Sequence, residues 1–236
     1  MRLLNVVGEK CMRLMQEKMK NLDCRHIQVD EIWSFVGKKQ KRVTLKDSSE
    51  LGDQYTFVAI DAETKLVPAF RVGKRDGLTT RRFLEGLSET VSGKFQLTSD
   101  AYRPYIESVE RVFGADVDYA QMIKVFGGSI EPGRERYSPA SCVGTQVSII
   151  QGRPEREPVS TSYVERQNLT MRMSMRRFTR LTNGFSKSLK NLKAAVALHF
   201  AHHNFCRVHS TLKCTPVMEA GITDRVWSLK DILRVW

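Results

Sequence analysis

The sequence predicts a mixed α/β fold, a five-stranded mixed sheet with helices on both faces, on three observations. Three runs rich in β-branched and aromatic residues come early with short connections, the pattern of an antiparallel meander. Later strand-like runs alternate with helical periodicity, the pattern of parallel crossovers. Hydrophobic residues make up 41% of the 236, so burial can offset the entropy of ordering the chain.

Taken in order, residues 1–22 read as a helix, with Leu4, Val7, Cys11 and Leu14 or Met15 at three-to-four spacing. Strand-like runs follow at His26–Val36, Tyr55–Asp61 and Val67–Val72, the first two separated by a basic polar loop from Gly37 to Asp53. Gly77–Val91 is helical, with Phe83, Leu84, Leu87 and Val91 on one side; Phe95–Ser99 is a fourth strand and Ala101–Phe113 a second helix of this region. Ala115–Ala120 supplies the fifth strand. Residues 127–160 hold four of the seven prolines and five glycines, and read as an irregular insertion. Helices near Ser162–Leu181 and Ser186–Phe205 close the domain, and a turn marked by Pro216 leads into a tail over 207–236.

Charge is concentrated. Lys and Arg total 38 against 26 Asp and Glu, a net +12, and the sequence pI is near 9.7. From Arg166 to Met218 there is no acidic residue and there are ten basic ones, so ten of the twelve net charges sit in this stretch. A single-sign run of that length repels itself and points to a polyanionic partner, nucleic acid above all. No apolar run approaches the roughly 18–20 residues of a membrane span, and the charged N-terminus lacks the apolar centre of a signal peptide. The five cysteines are odd in number and scattered, with no C-x-x-C, which suits free thiols in a reducing compartment.

Three carboxylates occupy informative positions: Asp30 inside the first strand, Asp100 at the carboxyl end of the fourth, and Glu165 at the start of a late helix. Functional groups of open α/β sheets collect at the carboxyl ends of strands. If the first and fourth strands are neighbours, Asp30 and Asp100 converge there and a crossing helix adds Glu165. Three hard oxygen ligands suit Mg²⁺ or Mn²⁺, and a pair of ions about 3.5–4 Å apart serves phosphodiester chemistry. The plainer alternative stays open for each: an edge or turn Asp, and a Glu that complements the helix dipole. At about 100° per residue from Val164, Met171, Met175 and Phe178 form a core stripe, with Glu165, Arg172 and Arg176 beside it on one face.

At these residues the sequence resembles the DDE transposases of bacterial insertion sequences, most closely the insertion sequence one family. The stretches carrying the resemblance are VDEIWSF, TSDAY, YVERQNLTMRMSMRRFTRLTNGFSKSLKNLKAA and NFCRVHSTLKCTP, and the Glu-centred one is the most specific. The resemblance implies an RNase H-like, retroviral-integrase-like fold over residues 23–206, with Asp30, Asp100 and Glu165 as catalytic metal ligands for Mg²⁺ or Mn²⁺, two ions in all. It implies phosphoryl transfer at the ends of a mobile DNA element, assembly as a homo-oligomer on element ends and target DNA, and a bacterial cytoplasmic, nucleoid-associated setting. Arg172 matches the basic residue that follows the Glu in many of these enzymes. With it, Arg166, Arg176, Arg177, Arg180, Lys187, Lys190 and Lys193 are the expected DNA-binding residues. Only about 25 residues precede the first strand, too few for the end-binding segment with which such transposases usually begin. Residues 1–22 are therefore expected to be the remnant of a linker. The expectation is a catalytic half served by a separately encoded end-binding protein, a frameshift-joined product or a truncated remnant. An RNase H-like nuclease and an inactive DNA-binding remnant are the alternatives.

Other candidates receive structural roles. Glu31 follows Asp30 and points to the opposite sheet face. Asp61 reads as a turn residue, and Trp33 and Phe35 as core. His199, His202, His203, Cys206, His209 and Cys214 invite a zinc assignment, but the helical ones share one side and no second cluster closes a tetrahedron. His202, His203 and His209 are expected to pack the helix end or touch phosphate.

Overall fold

A computed structural model of the chain describes residues 1–127, 141–179 and 182–234. Among the described residues, six strands form one sheet in the order β3-β2-β1-β4-β5-β6. β1 (His26–Val36), β2 (Gly52–Asp61) and β3 (Phe70–Gly73) make the expected antiparallel meander. β4 (Phe95–Ser99) and β5 (Val117–Gly127) then join in parallel, β4 against β1 and β5 against β4.

The sixth strand corrects the expected five. β6 (Ser141–Gln151) pairs antiparallel with β5 at the sheet edge, inside the stretch read as an irregular insertion. Its signal is weak because both of its faces are open: residues 142–147 are all exposed in succession, so no inside-outside alternation marks it. Residues 128–140 of that stretch lie outside the described residues.

Helices cover both faces. On one, α2 (Gly77–Ser88) sets Phe83 against Phe57 with ring centroids 5.7 Å apart, and α3 (Pro104–Phe113) packs beside α2. Each starts on a local device: Asp76 accepts a hydrogen bond from the Thr79 amide at 2.7 Å, and Pro104 opens α3, where its missing N–H costs nothing. On the other face lie α4 (Ser162–Ser174), α5 (Leu189–Phe205) and α1 (Arg2–Lys18), with Phe200 of α5 against Phe70 at 4.8 Å. Asn204, fully buried in α5, both donates to and accepts from the Val67 backbone at 3.0 Å, taking the place of a missing strand partner. His203 is buried with Nε2 3.0 Å from the Lys65 carbonyl oxygen, and burial pushes its pKa down to about 4, so its role is packing. Asp61 is the turn residue expected: its Oδ2 accepts from the Thr64 amide and hydroxyl at 2.9 and 2.6 Å. The C-terminal stretch folds back in short helices α6 (Pro216–Glu219) and α7 (Leu229–Arg234), with Trp227 on Phe205 at 5.1 Å. Among the described residues, no helix is long and apolar enough to cross a membrane.

The helix expected to run to Leu181 ends at Ser174. Met175 is extended, and one 3₁₀ turn over Arg176–Phe178 swings Phe178 into the core. Arg176 therefore leaves the helical face it was expected to share with Glu165.

α1 and α5 approach closely at Gly8, where an added Cβ would lie 2.5 Å from the Cα of Ala194. Gly8→Ala should gain about 1 kcal/mol of helix propensity and lose about 1–3 kcal/mol to overpacking. A lower urea midpoint is expected, with a larger drop for Gly8→Val. Gly86 in α2 faces open space, so Gly86→Ala should raise the midpoint instead, by about 0.5–1 kcal/mol in stability.

Candidate active site

The ladder between β1 and β4 pairs His26–Gln28 with Gln96–Thr98 in parallel, residue for residue. Extending that register brings Asp30 level with Asp100, just past the end of β4 at Ser99. α4 lies across this face because Gln28 Oε1 accepts from the Tyr163 and Val164 amides at 2.8 and 3.2 Å. One turn further along α4, Asn168 donates to Asp30 Oδ2 at 2.8 Å. Asp100 Oδ1 accepts from the Tyr102 amide at 3.0 Å, a local turn that delays the start of α3.

Glu31 belongs to this group as well. Its side chain leaves the opposite face of β1, as alternation requires, yet one carboxylate oxygen each from Asp30, Glu31 and Asp100 lie within 4.8 Å of one another. β4 has ended at this level, so oxygens from both faces can meet over the open edge. Arg75, just ahead of α2, donates to Glu31 Oε2 at 3.1 Å, lies 3.9 Å from Asp100 Oδ2, and stacks over Tyr102 at 4.1 Å. The Glu31 carboxylate is also buried beside the Tyr105 hydroxyl, whose hydrogen bond favours its ionised form. Burial first, then the neighbouring carboxylates, pushes Asp30 up to about 6 and Glu31 up to about 7. The fully buried Tyr105 hydroxyl beside Glu31 is held neutral, by burial above all.

Glu165 sits in the first turn of α4, close enough to raise Asp30, but outside the group of three. Lys124 of β5 holds both of its oxygens at 2.5 Å, and Thr161 donates to Oε1 at 2.6 Å. The sequence reading missed Lys124 because it ended the fifth strand at Ala120. It missed Arg75 because a basic pair ahead of a helix has no distinctive pattern. The signal for Glu31 was its place beside Asp30 in VDEIW, outweighed by strand alternation.

The expected basic residues divide among several places. Arg166 is exposed and Arg172 half-buried, both on α4. Arg177 donates to Ser186 Oγ at 2.9 Å and, with exposed Arg176 and Lys187, lies where the chain leaves α4. Lys190 and Lys193 line a separate cleft of about 440 Å³ between α5, α1 and β3, and Lys190 pairs with Glu9 at 3.1 Å. Arg180 lies outside the described residues. Trp33 and Phe35 are not core: both are half-buried and face an open groove.

No family model matches the chain, and no curated protein does. A similar solved structure is a piggyBac transposase synaptic complex with hairpin DNA, determined by cryo-EM. It is 14% identical, with a TM-score of 0.35 over 89% of this chain and 50% of that one, so this chain spans half the length of that protein. A likeness that distant assigns no activity.

The raised carboxyls set a pH dependence. A carboxyl whose pKa is higher folded than unfolded stabilises the fold below the unfolded value and loses that contribution as pH rises through the folded one. In EDTA, the melting temperature should fall between about pH 4 and pH 7. Asp30→Asn keeps an acceptor for Asn168 and removes the charge. It should melt with the wild type at pH 4 and above it at pH 8, by about 2–4 °C per kcal/mol of relieved repulsion.

Proposed function

We propose that the chain is the catalytic domain of a DDE-type DNA transposase with an RNase H-like fold, akin to those of the insertion sequence one family. Its reaction is divalent-metal-dependent phosphoryl transfer, cleaving the ends of a mobile element and joining them to target DNA. The observation that carries this reading is the meeting of Asp30, within β1, with Asp100, just past the carboxyl end of the adjacent parallel β4; Glu165 in the first turn of α4 lies near enough to raise the Asp30 pKa. The antiparallel meander followed by parallel strands, covered by helices on both faces, supports the fold assignment.

The donor set fits Mg²⁺ or Mn²⁺. It consists of hard carboxylate oxygens within 4.8 Å of one another, and two of its acids resist ionisation in the absence of a cation. Asp30, Asp100 and Glu165 would hold the metal, with Glu31 a fourth candidate that the sequence did not nominate. When bound, a pair of such ions activates a water or 3′-hydroxyl and stabilises the leaving oxygen. The chain's own residues orient that centre. Asn168 fixes the rotamer of Asp30, Thr161 and Lys124 fix Glu165, and Arg75 holds Glu31. Lys124 is also a cation within reach of a phosphate placed against Glu165. Arg166, Arg172, Arg176 and Arg177 extend positive charge along and beyond α4, where contacts to the phosphate backbone hold DNA without reading its sequence. Assembly as a homo-oligomer on paired ends, a separately encoded end-binding partner and a place in the bacterial nucleoid complete the proposal.

Nicking of supercoiled plasmid tests it. The wild type should nick in Mn²⁺ or Mg²⁺ and not in EDTA. Asp30→Asn, Asp100→Asn and Glu165→Gln should each fall below about one hundredth of that rate, since even outer-shell partners of a metal are worth 10–100-fold. Nicking that survives all three substitutions rejects the site. Cleavage without any joining of element ends would indicate a nuclease. Salt-sensitive binding without cleavage would indicate a DNA-binding remnant.

A further inference from the structure

The face of β1 that carries Glu31 continues past the carboxylates. Trp33 and Phe35 project from it two and four residues further on, both half-buried, with ring centroids 5.8 Å apart. Phe185 lies against Phe35 at 4.6 Å. It arrives there because the chain after α4 runs beside the end of β1, where Ser186 bridges Val36 and accepts from the Gly37 amide at 2.8 Å. Tyr55, opposite Trp33 across the ladder, lies under Arg75, so the row of rings leads back to the carboxylate site.

Trp33, Phe35 and Phe185 form one wall of an open groove of about 720 Å³. Its rim is cationic. Lys39, Lys41 and Arg42 come from the connection between β1 and β2, and Arg177 from the turn after α4. Lys38 also lines it, tied to Asp47 at 2.7 Å. Among the described residues, no Asp or Glu lines the groove.

Rings and cations together discriminate among polyanions. Duplex DNA keeps its base faces in the stack and would engage only the cations. An acidic peptide would leave the rings wet. An unpaired strand offers both base faces for the rings and phosphates for the rim. Glu31 to Phe35 spans roughly 13 Å of strand, the length of three to four stacked bases at about 3.4 Å each.

We propose that this groove binds the unpaired bases of a single DNA strand whose backbone continues into the Asp30–Asp100 site. The proposal rests on the DNA-processing reading above and specifies the form of DNA that the site receives. The bases stack on Trp33, Phe35 and Phe185, and Lys39, Lys41, Arg42 and Arg177 hold the phosphates.

Fluorescence anisotropy with the full chain in EDTA tests this without any catalysis, using labelled oligothymidylate and a blunt duplex as probes. Trp33→Ala and Phe185→Ala should each weaken oligothymidylate binding about tenfold and leave duplex binding within about twofold. Trp33→Phe should retain most of the affinity, and Lys41→Ala should weaken both probes. Thermal melts identify any variant that fails to fold. Unchanged oligothymidylate affinity in both alanine variants overturns the proposal, as does equal loss on duplex in a variant that melts like the wild type. Tighter binding of oligouridylate than oligothymidylate overturns the assignment to DNA. No metal or cleavage enters this measurement. A chain that keeps the ring-dependent preference and never nicks loses the phosphoryl-transfer reading alone. A chain that nicks without that preference loses this one alone.

Discussion

The parallel ladder between β1 and β4 is the constraint on which the site depends. Three residue pairs fix it, and the same register carried two residues on sets Asp30 beside Asp100. A one-residue slip would send one of the two to the opposite face. The register is secured from both sides. Ile27, Val29, Ile32 and Leu97 are fully buried, and Gln28 is committed to two amides at the start of α4. The hydrogen bonds that dock α4 are thus the ones that keep Asn168 over Asp30. Fold and site share the same few contacts.

The helical layer has a comparable dependence. α5 is apolar nearly all round, with buried Val196, Ala197, Phe200, Ala201 and Phe205, so it needs cover on the side turned from the sheet. α1 supplies that cover by approaching as closely as Gly8 and Ala194 permit. Residues ahead of the first strand therefore complete the hydrophobic layer beneath β2 and β3.

What the sequence made legible follows from what periodicity encodes. β1 and β4 agree with the structure to the residue, because β-branched and aromatic residues recur through each up to a clear polar or turn boundary. β6 escaped, since an edge strand open on both faces has no alternation to read and sits beside a Gly- and Pro-rich stretch. α4 was drawn too long for a different reason. Its apolar stripe persists through Phe178, and a 3₁₀ turn buries that ring as well as a helix would. Within the site, Asp100 is legible from its strand end and Asp30 from its place in the strand expected beside it. Glu31 is not, because alternation is a rule about Cβ directions, and a Glu side chain is long enough to bring its oxygen around the open edge of a strand. Trp33 and Phe35 read as core because they alternate with Glu31 on one strand face, and one strand's sequence does not say which part of that face a helix covers.

The distribution of partners within the site shows where its negative charge is least compensated. The two outer carboxylates each have a cation of their own: Lys124 grips both oxygens of Glu165, and Arg75 donates to Glu31. The two inner ones are less well served. Asp30 takes a neutral amide from Asn168, and Asp100 has the Arg75 guanidinium only at 3.9 Å. Like charges held this close disfavour joint ionisation, and burial deepens the penalty at Asp30. A third organic cation would have to desolvate a long side chain to reach that point, at a cost of several kcal/mol for the ion. A small divalent ion carries twice the charge and takes oxygens from several directions at once. The unmet negative charge therefore lies between Asp30 and Asp100, on the axis of the parallel ladder, and not at Glu165, whose own lysine must yield before it can serve as a ligand.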